Sequence, residues 1–114
     1  MKNKGKIGED QAVEFLKKNQ FSICMRNFTT RFGELDIIAK KNERFHIIEV
    51  KYQTNPIIHS LFKINPRKRK RMIKCTQIYM KIKKTYHCFY QFDLIAINRG
   101  RLTHFENVFN LSDV

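Results

Sequence analysis

Asp36 and the pair Glu49 and Lys51 are the residues of this chain whose types and spacing could do chemistry. Each lies inside an apolar run: Asp36 in GELDIIA, Glu49 and Lys51 in HIIEVKY. A charge drawn out of water must be paired or bound to an ion, so such positions ask for a compensating environment. Alternation along the second run puts Ile47, Glu49, Lys51 and Gln53 on one face of a strand and Ile48, Val50 and Tyr52 on the other. If the two runs pair as a hairpin, Asp36 and Glu49 become neighbours and raise each other's pKa unless a cation intervenes. A hard divalent ion relieves that repulsion, and Mg²⁺ takes one or two carboxylates together with substrate phosphates. Taken alone, Glu49 and Lys51 are explained equally well by an ion pair at the end of a strand. Adding Asp36 favours the metal reading. Glu9 stands four and seven residues before Val13 and Leu16, on the inward stripe of a first helix. A capping charge near the positive helix end accounts for it, but its inward direction favours a place beside the other two acids.

The elements that must hold these residues follow from periodicity. The spacing predicts a helix over Ile7–Lys18, with Ala12, Val13 and Leu16 inward and Asp10, Glu14, Lys17 and Lys18 toward water. Strands are predicted over Phe21–Phe28, Glu34–Ala39 and Phe45–Tyr52. The connections Arg31–Gly33 and Lys40–Glu43 are short, which favours an antiparallel meander. Thr54–Asn65 reads as a loop with apolar anchors at Ile57, Ile58 and Leu61. Asn65-Pro66 then starts a second helix, Asn as its cap and Pro at its first position, with Met72, Cys75, Tyr79 and Ile82 as its apolar stripe. A strand over Tyr90–Ile97 and a short one over Arg101–Phe105 complete an αβββαβ(β) order. This is an α/β arrangement over residues 1–114, read as one domain whose second helix is a crossover.

Composition narrows the partners. The 114 residues carry a formal net charge of +13, which draws polyanions such as nucleic acid or an anionic surface. A generally lysine-rich surface explains the scattered cations, but not acids retained in apolar strands. The three cysteines are odd in number and show no CxxC spacing, so reduced thiols in a cytoplasmic protein are expected. His46, His59, His87 and His104 form no ligand pattern in sequence, and isolated packing or surface histidines are the favoured reading over zinc. No stretch resembles a signal peptide or a membrane span, so no membrane partner is expected. Arg67–Arg71 is an unbroken basic run. A solvated face is the usual reading of such a run, but with the overall charge, phosphate contact by part of it is favoured.

The blocks KIGEDQAVEFL, RNFTTRFGELDIIAK and FHIIEVKYQ resemble the corresponding blocks of the YraN-like proteins. The likeness continues in the same order through PRKRKRMIKCTQIYM and YQFDLIAI, nearly the whole chain. It implies the fold shared by restriction endonucleases and archaeal Holliday-junction resolvases, a central mixed sheet flanked by helices. By that resemblance Asp36 and Glu49 match the metal-binding acids of the PD-(D/E)xK pattern, Lys51 its lysine, and Glu9 the helix-borne acid of resolvase-like members. Gln53, Lys68 and Arg71 match polar or basic positions that contact nucleic acid. Leu35 replaces the proline of the motif name. Gln91 stands where relatives often carry Arg, and no role is assigned to Asp93 or Glu34.

The expected function is hydrolysis of phosphodiester bonds in structured or branched DNA, dependent on Mg²⁺ or Mn²⁺. Asp36 and Glu49 would hold the ion with help from the Val50 carbonyl, and Lys51 would orient or help deprotonate the attacking water. A homodimer is compatible with this reading. The rival from another class is a DNA-binding module that keeps the fold and the basic surface without cutting. An RNA-binding protein ranks last, because it needs aromatic rings exposed on a sheet and the Phe residues fall at core-like positions.

Overall fold

The computed structural model describes residues 2–53 and 64–111, with side chains described over 5–52 and 64–111. Its elements are α1 (Lys2–Lys18), β1 (Ser22–Thr30), β2 (Gly33–Lys41), β3 (Arg44–Gln53), α2 (Pro66–Lys83), β4 (Phe89–Asn98) and β5 (Arg101–Phe109). The five strands form one mixed sheet in the order β1-β2-β3-β4-β5. Every neighbouring pair is antiparallel except β3 and β4, which run parallel because α2 lies between them in sequence. Two helices thus flank a mixed sheet, and the architecture is the restriction-endonuclease-like αβββαβ core with one further edge strand.

Alternation along each strand divides the core into two layers. Ala12, Val13 and Leu16 of α1 pack on Ile37, Ile48 and Ile95 on one face of the sheet. Met72, Cys75 and Tyr79 of α2 pack on Leu35, Ile38, Ile47 and Phe92 on the other. Each large aliphatic side chain buried in this way contributes roughly 1.5–3 kcal/mol by leaving water. Glu49 and Lys51 share the face of Ile47, toward α2, as the alternation of β3 requires. The β2–β3 turn places Asn42 and Glu43 at φ of 51° and 64°, a left-handed pair matched to the twist of a tight hairpin.

Several expectations change. The first helix starts earlier than Ile7, which is exposed, and the strands run longer at their ends. Ile82 is 61% exposed rather than part of the inward stripe. Its neighbours Lys81 and Lys83 are exposed too, so this last turn of α2 stands clear of the sheet. The cap of α2 is as expected: Lys68 N–H donates to the Asn65 side chain at 2.9 Å, with Pro66 beginning the helix. Ile57, Ile58 and Leu61 lie outside the described residues, as does the side chain of Gln53.

Candidate active site

The ladder between β2 and β3 runs from Lys41↔Arg44 to Ile37↔Ile48 and then opens. Leu35 and Ile38 both pack toward α2 while Ile37 and Ala39 face α1, so the side-chain alternation of β2 slips at Asp36. The adjoining strand is irregular at the same level, with Asn27 at φ 51°. Freed from the ladder, Asp36 turns its carboxylate toward β3 and accepts a hydrogen bond from Val50 N–H at 2.9 Å. This local break brings the acid of β2 beside the acid of β3.

Glu49 is buried, and its Oε2 lies 3.0 Å from Lys68 Nζ on the first turn of α2. Burial pushes the Asp36 carboxyl up from 3.8 to about 7, and the Glu49 charge adds to the rise. The Val50 N–H offsets part of it, the Glu9 charge adds a little more, and the Lys68 ammonium lowers it slightly. Glu9 is held from outside the pair: Asn27 Nδ2 donates to its Oε1 at 2.9 Å, and Arg26 Nη2 is 3.8 Å away. Arg26 makes its closer contact, 2.7 Å, with Asp10. Gly8 lets α1 come this near. A Cβ there would sit 2.9 Å from Tyr52 Cδ2 and 3.0 Å from Tyr52 Cβ, so only glycine leaves that contact unstrained.

A cavity of about 590 Å³ opens over this end of β3, lined by Glu49, Lys51, Asn65, Lys68 and Arg69 among others. Glu49 is the acid of its lining and Lys51, Lys68 and Arg69 its cations, an arrangement suited to an ion on Glu49 and the neighbouring Asp36 with phosphate oxygens against the lysines. The donor set fits a hard divalent cation, because buried carboxylates that repel each other gain most from one.

The chain matches the model of Uncharacterised protein family UPF0102 over residues 8–97. It belongs to that family. A UPF0102 protein of Campylobacter jejuni serotype O:2 is 40% identical over 104 residues, 91% of each chain. A UPF0102 protein of Sulfurimonas denitrificans is 37% identical over 105 residues, 92% of this chain and 94% of its own. One from Persephonella marina is 37% identical over 109 residues, 95% and 94% of the two chains. UPF0102 is the YraN-like family whose blocks the sequence resembles.

Within this UPF0102 chain the structure brings Asp36, Glu49, Lys51, Glu9 and Lys68 to one end of the sheet. Lys68, expected to contact nucleic acid, sits on the Glu49 carboxylate itself. Arg71 lies elsewhere, alongside Gly33 at the β1–β2 turn, nearly one helical turn further along α2 from the cavity. Arg69 takes the place in the cavity wall that the sequence offered to Arg71. Its Nε is buried with no hydrogen-bond partner among the described residues. Only its position in the basic run could have flagged it, and the run does not say which side faces in. None of the described helices is long and apolar enough to cross a membrane.

A second group was missed. His46, Asp93, His104 and Glu106 bring potential ligand atoms within 4.8 Å of one another and could hold a metal ion. Two of the histidines that sequence spacing left isolated, His46 and His104, thus meet on one buried acid. Asp93 Oδ2 lies 2.7 Å from His46 Nδ1 and 2.9 Å from His104 Nε2. Its Oδ1 accepts from Gln91 Nε2 and Asn107 N–H, each at 2.9 Å. Burial alone would raise Asp93, but hydrogen bonds from His104, His46, Asn107 and Gln91 outweigh it and hold the carboxyl far below the usual range.

Proposed function

We propose that the chain is a metal-dependent endonuclease that hydrolyses phosphodiester bonds of DNA, with structured or branched DNA as its substrate class. The observation that carries this reading is the Asp36–Glu49 pair: Glu49 lines a cationic cavity, and its charge together with burial raises the neighbouring Asp36 to about 7. A protein gains nothing in stability from such repulsion, so a pair only partly offset by Lys68 and the Val50 N–H marks a place where a ligand completes the charge balance. Branched DNA as the preferred form rests on the family's resemblance to resolvases.

Asp36 and Glu49 are the residues that would hold Mg²⁺ or Mn²⁺. When bound, such an ion polarises the phosphate and acidifies a water. Lys51 lines the cavity on the same strand face as Glu49, where its ammonium can orient or help deprotonate the water and offset charge on the phosphorane-like transition state. Lys68 neutralises Glu49 in the metal-free protein and stands ready to turn to a phosphate oxygen once the carboxylate has another cation. Arg69, its guanidinium over the Phe109 ring, adds a second cation to the cavity wall for the same phosphate. Asn27 and Arg26 keep Glu9 in place beside the pair.

The Lys68–Glu49 ion pair favours a second reading, a DNA-binding module whose acids are structural. Single-turnover cleavage of linear, single-stranded and four-way-junction DNA, measured beside equilibrium binding, separates the two. For a nuclease, Lys51→Ala lowers the cleavage rate on the order of a hundredfold or more with little change in affinity. Asp36→Asn abolishes cleavage while metal-free affinity holds or rises. A wild type that binds but cuts nothing with any divalent metal makes the binding module the better account.

A further inference from the structure

We propose that His46, Asp93, His104 and Glu106 form a separate site for a divalent transition-metal ion of the Zn²⁺ class, pinning β5 to β3 and β4. The proposal is independent of the nuclease reading, because these residues lie on the α1 face of the sheet whereas Glu49 and Lys51 face α2.

Three strands converge on the site. His46 lies on β3, and Ile48, two residues on, pairs with Asp93 of the parallel β4. The β4–β5 register shifts beside Asp93, between Phe92↔Phe109 and Leu94↔Phe105, so β5 carries extra residues there. That bulge, with Asn107 at φ 56°, turns Glu106 and the Asn107 N–H toward Asp93. Bulges re-aim side chains at functional positions, and this one completes the donor set.

The donor geometry suits zinc. Around a tetrahedral ion with bonds of about 2.0–2.1 Å, neighbouring donors stand roughly 3.3 Å apart. The present separations of 2.7 Å and 2.9 Å at Asp93 Oδ2 need to open by only a few tenths of an ångström. Each imidazole must carry its proton on the nitrogen facing away, so the neutral rings change tautomer and no net proton is needed. Two carboxylates and two neutral imidazoles balance the charge of the ion. Asp93 Oδ1 is already oriented by Gln91 and Asn107, the outer-shell support that ligating carboxylates characteristically have. Phe15 and Phe21 pack against the imidazoles and keep that side apolar. Access comes through a cavity of about 270 Å³ that reaches His46, Gln91 and Glu106. Lys41 and Arg44 at its rim lie over the rings of Phe21 and Phe89. Imidazole donors select a Zn²⁺-class ion over Mg²⁺, which prefers oxygen.

The test titrates the chelator-stripped full chain with Zn²⁺ and with Co²⁺ as a spectroscopic stand-in. The expected result is one equivalent bound at the histidine cluster, beside any weaker ion at Asp36 and Glu49, a raised Tm, and visible Co²⁺ bands of a four-coordinate nitrogen–oxygen site. The thiolate charge-transfer band that Cys24 or Cys88 would add should be absent. His104→Gln should weaken Zn²⁺ on the order of a hundredfold. The exposed Glu106→Gln, which leaves the core untouched, should weaken it less, and Glu14→Gln on the outer face of α1 should leave it unchanged. Failure to bind an equivalent of Zn²⁺, or binding that survives both His104→Gln and Glu106→Gln, overturns the proposal. Neither result bears on cleavage with Mg²⁺.

Discussion

Asp36 and Asp93 are both aspartates set among aliphatic residues of a central strand, yet their surroundings push them in opposite directions. Asp93 is enclosed by donors that the fold itself supplies: two imidazoles, an amide and a backbone N–H. Asp36 receives one backbone N–H and faces two other carboxylates. Burial penalises both charges, so what differs is the company each acid keeps. The Asp93 carboxylate is hydrogen-bonded on both oxygens before any ion is added. The Asp36 end is left short of positive charge, and that deficit is what the cation we propose there would fill.

The sharpest way to break the comparison is to remove each acid in turn. Asp93→Ala strands His46, His104 and the Asn107 N–H in the interior. Unfolding in denaturant should show a loss of about 3–5 kcal/mol. A loss under 1 kcal/mol would mean that the network is not the anchor it looks to be. Asp36→Asn, by contrast, should stabilise the metal-free protein at neutral and higher pH.

The pH dependence gives the next largest effect, and the two acids have opposite signs. Asp36 is raised, so the folded state binds its proton more tightly than the unfolded chain. Its favourable contribution is complete below the ordinary carboxylate pKa of about 4 and is lost as pH rises through about 7. In chelator, stability should therefore fall across that window by a few kcal/mol at most. Asp36→Asn should flatten the fall, and Mg²⁺ should reverse it in wild type. Asp93 is depressed, so its contribution is present above the ordinary range and is lost only as pH drops below it. Matched wild-type and Asp36→Asn melts from pH 4 to 8 measure this, and identical slopes would disprove the assignment.

A smaller effect probes how α1 reaches the site. In Gly8→Ala the added methyl group meets Tyr52, and the strain should cost about 1–3 kcal/mol. Because Glu9 follows directly, cleavage should fall more than stability explains, and more than in an α1 variant of equal stability loss such as Val13→Ala. Smallest is the contrast along the basic run. Arg69→Ala should reduce the log–log salt slope of DNA binding by about 1, whereas Arg71→Ala should change it less. The reverse order would move the phosphate track to the β1–β2 turn.

Much of the Asp36 end was legible in the chain because it depends on neighbours close in sequence. The period of β3 sends Glu49 and Lys51 to one face, and a hairpin turn of polar residues folds Asp36 back beside them. The Asn65-Pro66 pair marks where α2 begins, and with it where Lys68 must lie. These are short-range consequences of dihedral preference and alternation. The Asp93 end was not legible. His46, Asp93 and His104 are scattered over three strands, and they meet only because β3 and β4 run in parallel register and β5 is bulged opposite Asp93. Likewise the run Arg67–Arg71 announces charge, but only packing against the sheet decides that Lys68 turns to Glu49, Arg69 to the cavity and Arg71 away. Local periodicity tells which face a side chain takes. Which partner it meets there is set by strand register and helix placement, long-range choices made by burying the two apolar layers together.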